Sequence, residues 1–248
     1  MNRKRTIYLA GDSTVQSYPA AESPRGGWGQ YLIRFLGNDR HTEQRPENTS
    51  FENCMLYENS RVRVDNRAMA GRSVRTFLAE GRMQEILDAV QEGDLVLMQF
   101  GHNDANRAKQ ERFAEPEQFY ELLRDRMVSP VRDRGGIPVL VTPIAMRVFS
   151  QDGKCEISFP EYRVQMLRLS EDEKLALVDL GKKTADLNTK VGQEACKSIY
   201  LWLPEGKYGF FPQGSSDDAH LKTQGALCYA HLAAEGLNET GLQRQLNV

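Results

Sequence analysis

Four short apolar runs punctuate the sequence: Ile7 to Ala10, Leu95 to Phe100, Ile137 to Thr142 and Leu175 to Leu180. Each is too brief for a buried helix. Their continuous hydrophobicity is what a strand shows when both of its faces are covered. Val62 to Asn66 makes a weaker fifth, with Val62 and Val64 alternating. Helical periodicity lies between the runs. Trp28, Tyr31, Leu32, Phe35 and Leu36 share one helical face, with Gly37-Asn38 as its stop. Phe119, Leu122, Leu123 and Met127 share another, opened by Pro116 and ended by Gly135-Gly136. Ala226, Leu227, Ala230 and Ala234 mark a C-terminal helix. Strands alternating with helices predict a parallel sheet covered on both faces.

A chain of 248 residues, 40% of them hydrophobic, has enough apolar surface for one substantial α/β domain. Two stretches interrupt the alternation. Residues 38–60 are polar and charged and read as a surface insertion; residues 204–216 are rich in Gly and Pro and read as a long loop. Lys and Arg number 32 against 34 Asp and Glu, so charge gives no argument for nucleic acid or an anionic membrane as partner. Behind the basic start Arg3-Lys4-Arg5, the apolar stretch Ile7 to Ala10 is much shorter than the roughly 7–15 residues of a signal peptide. The expectation is a cytoplasmic protein. Cys54, Cys155, Cys196 and Cys228 are scattered, which fits reduced thiols better than disulfides or a zinc framework.

Ligands of parallel α/β sheets collect beyond the carboxyl ends of the strands. Gly11-Asp12-Ser13 follows the first run, Asn66 to Ser73 the run at Val62, and Gly101-His102-Asn103-Asp104 the run at Leu95. Asp217-Asp218-Ala219-His220 precedes the last helix. Together these segments hold what serine-based acyl transfer needs. Ser13 is the candidate nucleophile. His220 is the candidate base, since histidine ordinarily titrates near 6.5. Asp217, three residues earlier, is its orienter. The N–H groups of Ser13 and Gly71 and the side chain of Asn103 are candidate donors to an oxyanion.

The blocks G-D-S, an isolated Gly, G-x-N-D and D-x-x-H, in that order, resemble those of the SGNH (GDSL-like) hydrolases. "AGDSTV", "GWGQ", "NRAMAGRSVRTF", "MQFGHND", "VTPIAMRVF" and "DDAHLKTQGA" are most similar to the rhamnogalacturonan acetylesterase-like branch. The resemblance spans nearly the whole chain. It implies a flavodoxin-like three-layer α/β/α sandwich, no cofactor, and Ser13, Gly71, Asn103 and His220 in the roles above. It also implies removal of acetyl groups from pectin backbones of galacturonic acid and rhamnose. One departure is Met146 before Arg147, where relatives often carry two adjacent arginines.

Each residue also has a plainer reading. Ser13 alone could cap a turn. Asp12 reads as fixing that turn, Asp104 as holding its loop, and Asp218 as a cap for the following helix. His41 reads as solvated, His231 as a core or rim histidine, and His102 as a structural hydrogen-bonding group below the pocket. A metal reading of D-x-x-H lacks a second ligand cluster. Arg72, Arg75, Arg107 and Arg147 follow strand ends and are candidates to bind substrate carboxylates, or are internally paired. Phe210 and Phe211 are candidates to stack on sugar; Trp28 reads as part of its helix face. The rival functions are an esterase, lipase or thioesterase for another acyl group, and a non-catalytic carbohydrate-binding protein.

Overall fold

The computed structural model describes residues 3–37 and 39–246. Asn38 of the expected helix stop and the first two residues of the N-terminus lie outside the described residues. The chain runs through β1 (Arg5–Gly11), β2 (Arg25–Gly26), β3 (Thr42–Gln44), β4 (Met55–Glu58) and β5 (Val62–Asn66). Helices α1 (Val74–Ala79) and α2 (Arg82–Ala89) lead to β6 (Leu95–Gln99). Next come α3 (Pro116–Leu123), a π-helical turn and α4 (Ser129–Asp133), then β7 (Ile137–Val141). α5 (Pro160–Glu173), β8 (Ala176–Val178) and α6 (Leu180–Val191) follow. β9 (Tyr200–Leu203), β10 (Ser215–Lys222), α7 (Thr223–Glu239) and α8 (Leu242–Gln245) complete the order.

All five expected strands form, and they are the parallel ones. The main sheet has the order β3-β4-β5-β1-β6-β7-β8. From β5 to β8 the neighbours are parallel. Taken by themselves these five follow the order 2-1-3-4-5 of a flavodoxin-like sheet. Strand alternation divides the core. Ile7, Leu9, Val64, Leu97 and Val139 face Leu180 of α6 and Ala230 and Ala234 of α7. Tyr8, Ala10, Val96, Met98 and Leu140 face Phe77 of α1, Ile86 of α2, Phe119 of α3 and Met166 of α5. The architecture is a three-layer α/β/α sandwich. No described helix is long and apolar enough to cross a membrane.

Residues 38–60 differ from the expected surface insertion. They supply β3 and β4, which add two antiparallel strands to the edge of the main sheet. Tyr57 is buried there, and its hydroxyl donates to Ser17 Oγ at 2.9 Å. Edge strands with an exposed face carry polar residues, so their composition resembles that of a loop. The expected helix at Trp28 is instead two 3₁₀ turns, Trp28–Gln30 and Leu32–Phe35. Gly27 and Gly29 weaken helix propensity in this stretch. Close packing requires glycine there, since a Cβ on Gly29 would lie 2.5 Å from the Val15 carbonyl. A second, antiparallel sheet has the order β2-β10-β9.

Candidate active site

Ser13 lies two residues beyond the end of β1, at the switch point where the sheet grows toward β5 on one side and β6 on the other. The turn is built by its neighbours. Asp12 Oδ1 accepts the Thr14 N–H at 2.9 Å and the Thr14 hydroxyl at 2.8 Å. Thr14 Oγ1 accepts from Gln99 Nε2 at 2.6 Å, and Gln99 Oε1 from Trp28 Nε1 at 2.7 Å. This buried chain ties the turn to β6. Asp12 faces the ring of His102, with Nδ1 3.3 Å from Oδ2. Burial opposes ionisation of Asp12, but His102 and the Thr14 donors outweigh it and hold the carboxyl below its ordinary range.

The candidate base, His220, and its candidate orienter, Asp217, come from the second sheet. Between the register pairs Ser216↔Trp202 and Leu221↔Tyr200, residues 217–220 of β10 stand opposite Leu201 alone. The expected loop-to-helix junction is therefore a bulged strand, and the bulge turns its side chains toward Ser13. Asp217 Oδ1 accepts the N–H groups of Ala219 at 2.8 Å and His220 at 2.9 Å, which satisfies donors that the bulge removes from the ladder. Asp217 Oδ2 lies 2.7 Å from His220 Nδ1, and His220 Nε2 lies 2.9 Å from Ser13 Oγ. Burial would raise the Asp217 pKa, but the His220 ring and these N–H groups hold it well below the carboxylate range. An ionised Asp217 only accepts, so the proton resides on Nδ1 and leaves Nε2 to accept from Ser13.

Gly71 and Asn103 meet beside this turn. Gly71 has φ +77°, a left-handed conformation that glycine adopts without strain. Among the described residues, nothing accepts the N–H of Ser13 or of Gly71. Asn103 Nδ2 donates to the Arg72 carbonyl at 3.1 Å, and its Oδ1 accepts from Arg112 Nη1 at 3.4 Å. One amide proton of Asn103 is left for a ligand. Asp104 serves the loop as expected, accepting from Val74 N at 2.8 Å and Gly101 N at 3.0 Å.

The other candidates fare differently. Arg147 is buried, donates to Asp218 Oδ1 at 2.6 Å and the Gln193 carbonyl at 3.0 Å, and lies over the Trp202 ring. It anchors the bulge and is not free for substrate. Asp218 is correspondingly not the cap of α7; Trp202 Nε1 and Arg147 both donate to it. Arg72 is paired with Glu80, Arg107 with Glu115, and Arg75 donates to the Phe113 carbonyl. Phe210 and Phe211 pack edge to face, and both rings lie near Arg25. His231 is exposed on α7 against Phe35, outside the core. His41 lies near Glu43 and the Tyr57 ring.

A cleft of about 830 Å³ opens beside the Ser13 turn. Tyr18, Arg25, Met55 and Tyr57 line it, together with Gln16, which accepts the Ala70 N–H at 2.5 Å. Tyr18 also donates to the Ser13 carbonyl at 2.8 Å. Nothing in the residue pattern singles out Gln16 or Arg112, beyond the proximity of Gln16 to the G-D-S block.

The family model for the GDSL-like lipase/acylhydrolases matches residues 7–233. The chain belongs to that family. Among its relatives within the family is the probable rhamnogalacturonan acetylesterase YesY of Bacillus subtilis (strain 168), 36% identical over 95% of this chain and 94% of that one. The rhamnogalacturonan acetylesterase RhgT of the same organism is 32% identical over 98% and 93%. Among solved structures, YxiM of Bacillus subtilis superposes with a TM-score of 0.74 at 28% identity, over 96% of this chain and 57% of that one. The acetylxylan esterase Axe2 of Geobacillus stearothermophilus, at 16% identity and a TM-score of 0.59, shares the fold over 96% of this chain and 94% of its own.

Proposed function

We propose that this protein is a serine acetylesterase of carbohydrates, acting on acetylated rhamnogalacturonan-derived oligosaccharides. The observation that carries the reading is the unbroken relay from Ser13 Oγ through His220 to Asp217, 2.9 and 2.7 Å long. Relatives named rhamnogalacturonan acetylesterases, alike over nearly the whole chain, support the substrate.

The Ser13 hydroxyl passes its proton to His220 Nε2 as Oγ attacks the acetyl carbonyl carbon. Asp217 keeps the ring oriented and stabilises the imidazolium that forms. Negative charge gathers on the former carbonyl oxygen, where the N–H groups of Ser13 and Gly71 and the free proton of Asn103 receive it. The bond to the sugar oxygen then breaks, and that oxygen takes the proton from His220. Water attacks the acetyl-enzyme with His220 again as base, and Ser13 recovers its proton as acetate leaves. The chain's own side chains carry every proton transfer in this scheme.

The test is acetate release from acetylated rhamnogalacturonan oligosaccharides by the parent protein and by Ser13→Ala. Release that disappears in the variant supports nucleophile and substrate together. Ser13-dependent cleavage of p-nitrophenyl acetate alone would retain the chemistry and move the substrate to another small acyl ester. Binding of oligosaccharide without turnover of either ester would favour a carbohydrate-binding protein. The reading includes a cytoplasmic enzyme that meets imported oligosaccharides; assays of lysate and culture fluid from the parent cells decide that part.

A further inference from the structure

The arginines near the candidate site divide sharply by how they are bound. Arg72 lies against the Glu80 carboxylate, with Nε 2.9 and 3.0 Å from its two oxygens. Arg107 places two nitrogens on Glu115, at 2.9 and 3.1 Å. Arg147 is buried on Asp218. Arg75 reaches the Phe113 carbonyl at 2.7 Å and so fixes the loop that carries residue 112. Arg112 is the exception. Among the described residues, its guanidinium makes one hydrogen bond, the 3.4 Å contact to Asn103 Oδ1. Its nearest carboxylate, Glu111, is 3.7 Å away, and a third of the side chain is exposed.

Its position is specific. A Cβ on Gly71 would lie 3.2 Å from Arg112 Nη1 and 3.3 Å from Nη2. The guanidinium thus covers Gly71 and touches Asn103, two of the three proposed oxyanion donors. A planar fork with unsatisfied N–H groups is suited to a carboxylate, which it binds through two parallel hydrogen bonds.

We propose that Arg112 is the residue that reads the carboxylate of an acidic sugar at this site. The assignment rests on the acetylesterase reading above and extends it to charge selectivity. An acidic sugar brings a negative charge close to the place where the oxyanion develops. Two like charges in a half-buried site oppose each other, and the charge of Arg112 offsets both. The loose contact with Glu111 gives way to the substrate carboxylate. Arg72, Arg107 and Arg147 do not substitute for it, because each would first have to leave a closer partner.

The experiment compares one acetylated uronate-containing oligosaccharide with its methyl-esterified form, using the parent protein, Arg112→Gln and Arg112→Lys. The parent is expected to prefer the free acid in kcat/KM, with a preference that shrinks as salt is added. In Arg112→Gln the ratio between the two substrates falls about tenfold or more, the effect of losing one charge-assisted hydrogen-bonded pair. Arg112→Lys keeps part of the preference, since the charge remains without the fork. Equal losses on both substrates, leaving the ratio unchanged, would make Arg112 only a support for Asn103 and overturn the proposal. A parent protein with no preference for the free acid would overturn it as well. Ser13-dependent hydrolysis of p-nitrophenyl acetate with none from either oligosaccharide would remove the substrate reading and this assignment together.

Discussion

Asn103 is held from both ends of its amide, by the Arg72 carbonyl and the Arg112 guanidinium. That fixes which way the free Nδ2 proton points before any substrate arrives, and preorganisation of this kind makes a single donor effective. Asn103→Ala is expected to lower kcat by on the order of 10²–10³ with a smaller effect on KM. Steady-state kinetics on p-nitrophenyl acetate check this, and an unchanged kcat would remove Asn103 from the proposed donor set. At this scale the sequence was most informative where chemistry dictates residue type. Acyl transfer calls for a hydroxyl, an imidazole and a carboxylate. The three residues of those types chosen from the strand ends, Ser13, His220 and Asp217, do lie in turn within hydrogen-bonding distance of one another. Arg147 and Asp218 were harder to read. Both lie in the right segments, yet they pair with each other and support the bulge, a contact 71 residues apart in sequence. Arg112 sits in a loop of mixed charge, where nothing separates a site arginine from a solvated one.

The elements show the same division. β1, β6, β7 and β8 were legible as unbroken apolar runs, the pattern of strands covered on both faces, and β5 (VRVDN) only through its alternating Val62 and Val64. β3, β4 and β10 were not, since an edge or small-sheet strand has room for polar side chains; β10 reads SSDDAHLK. The junction between β6 and α1 depends on Asp104, which joins Gly101 just after β6 to the first N–H of α1. Burial pushes the Asp104 carboxyl up to about 7, against the pull of its N–H donors. An unfolded aspartate titrates near 3.9, so the folded value is the higher one. Its contribution to stability is full below about pH 4 and is lost as pH rises through about 7. Asparagine does not titrate, and its amide turns a donor toward one of the two N–H groups, at a cost of about 1–3 kcal/mol. Asp104→Asn is expected to be less stable than the parent at about pH 5, with the gap narrowing toward about pH 8. Denaturant midpoints at the two pH values check the sign. A gap that widens as pH rises would assign the group the opposite linkage.

Across the whole molecule, the proposed relay joins two sheets that share no strand. Ser13 extends from the main sheet, while Asp217 and His220 stand on the small one, so their 2.9 Å contact depends on how the sheets are clamped. The clamp is α7, and it works through close approaches. A Cβ on Gly236 would lie 2.4 Å from Val178 Cγ1 of the main sheet. One on Gly225 would lie 2.3 Å from the carbonyl of Ile199, which directly precedes β9. The neighbouring Thr223 N–H donates to the Pro24 carbonyl at 2.7 Å, ahead of β2. This arrangement gives Gly225→Ala two opposed effects. Alanine gains up to about 1 kcal/mol of helix propensity over glycine. Its methyl group also forces α7 away from β9, which costs about 1–3 kcal/mol as overpacking does elsewhere. The clash is expected to win, lowering Tm, and kcat is expected to fall by on the order of tenfold because His220 shifts relative to Ser13. Tm and kcat are measured on the same preparation, kcat well below the Tm, where Asp217 and His220 are still paired within β10. A lower Tm with an unchanged kcat would mean that β2 and β9 hold His220 without help from α7.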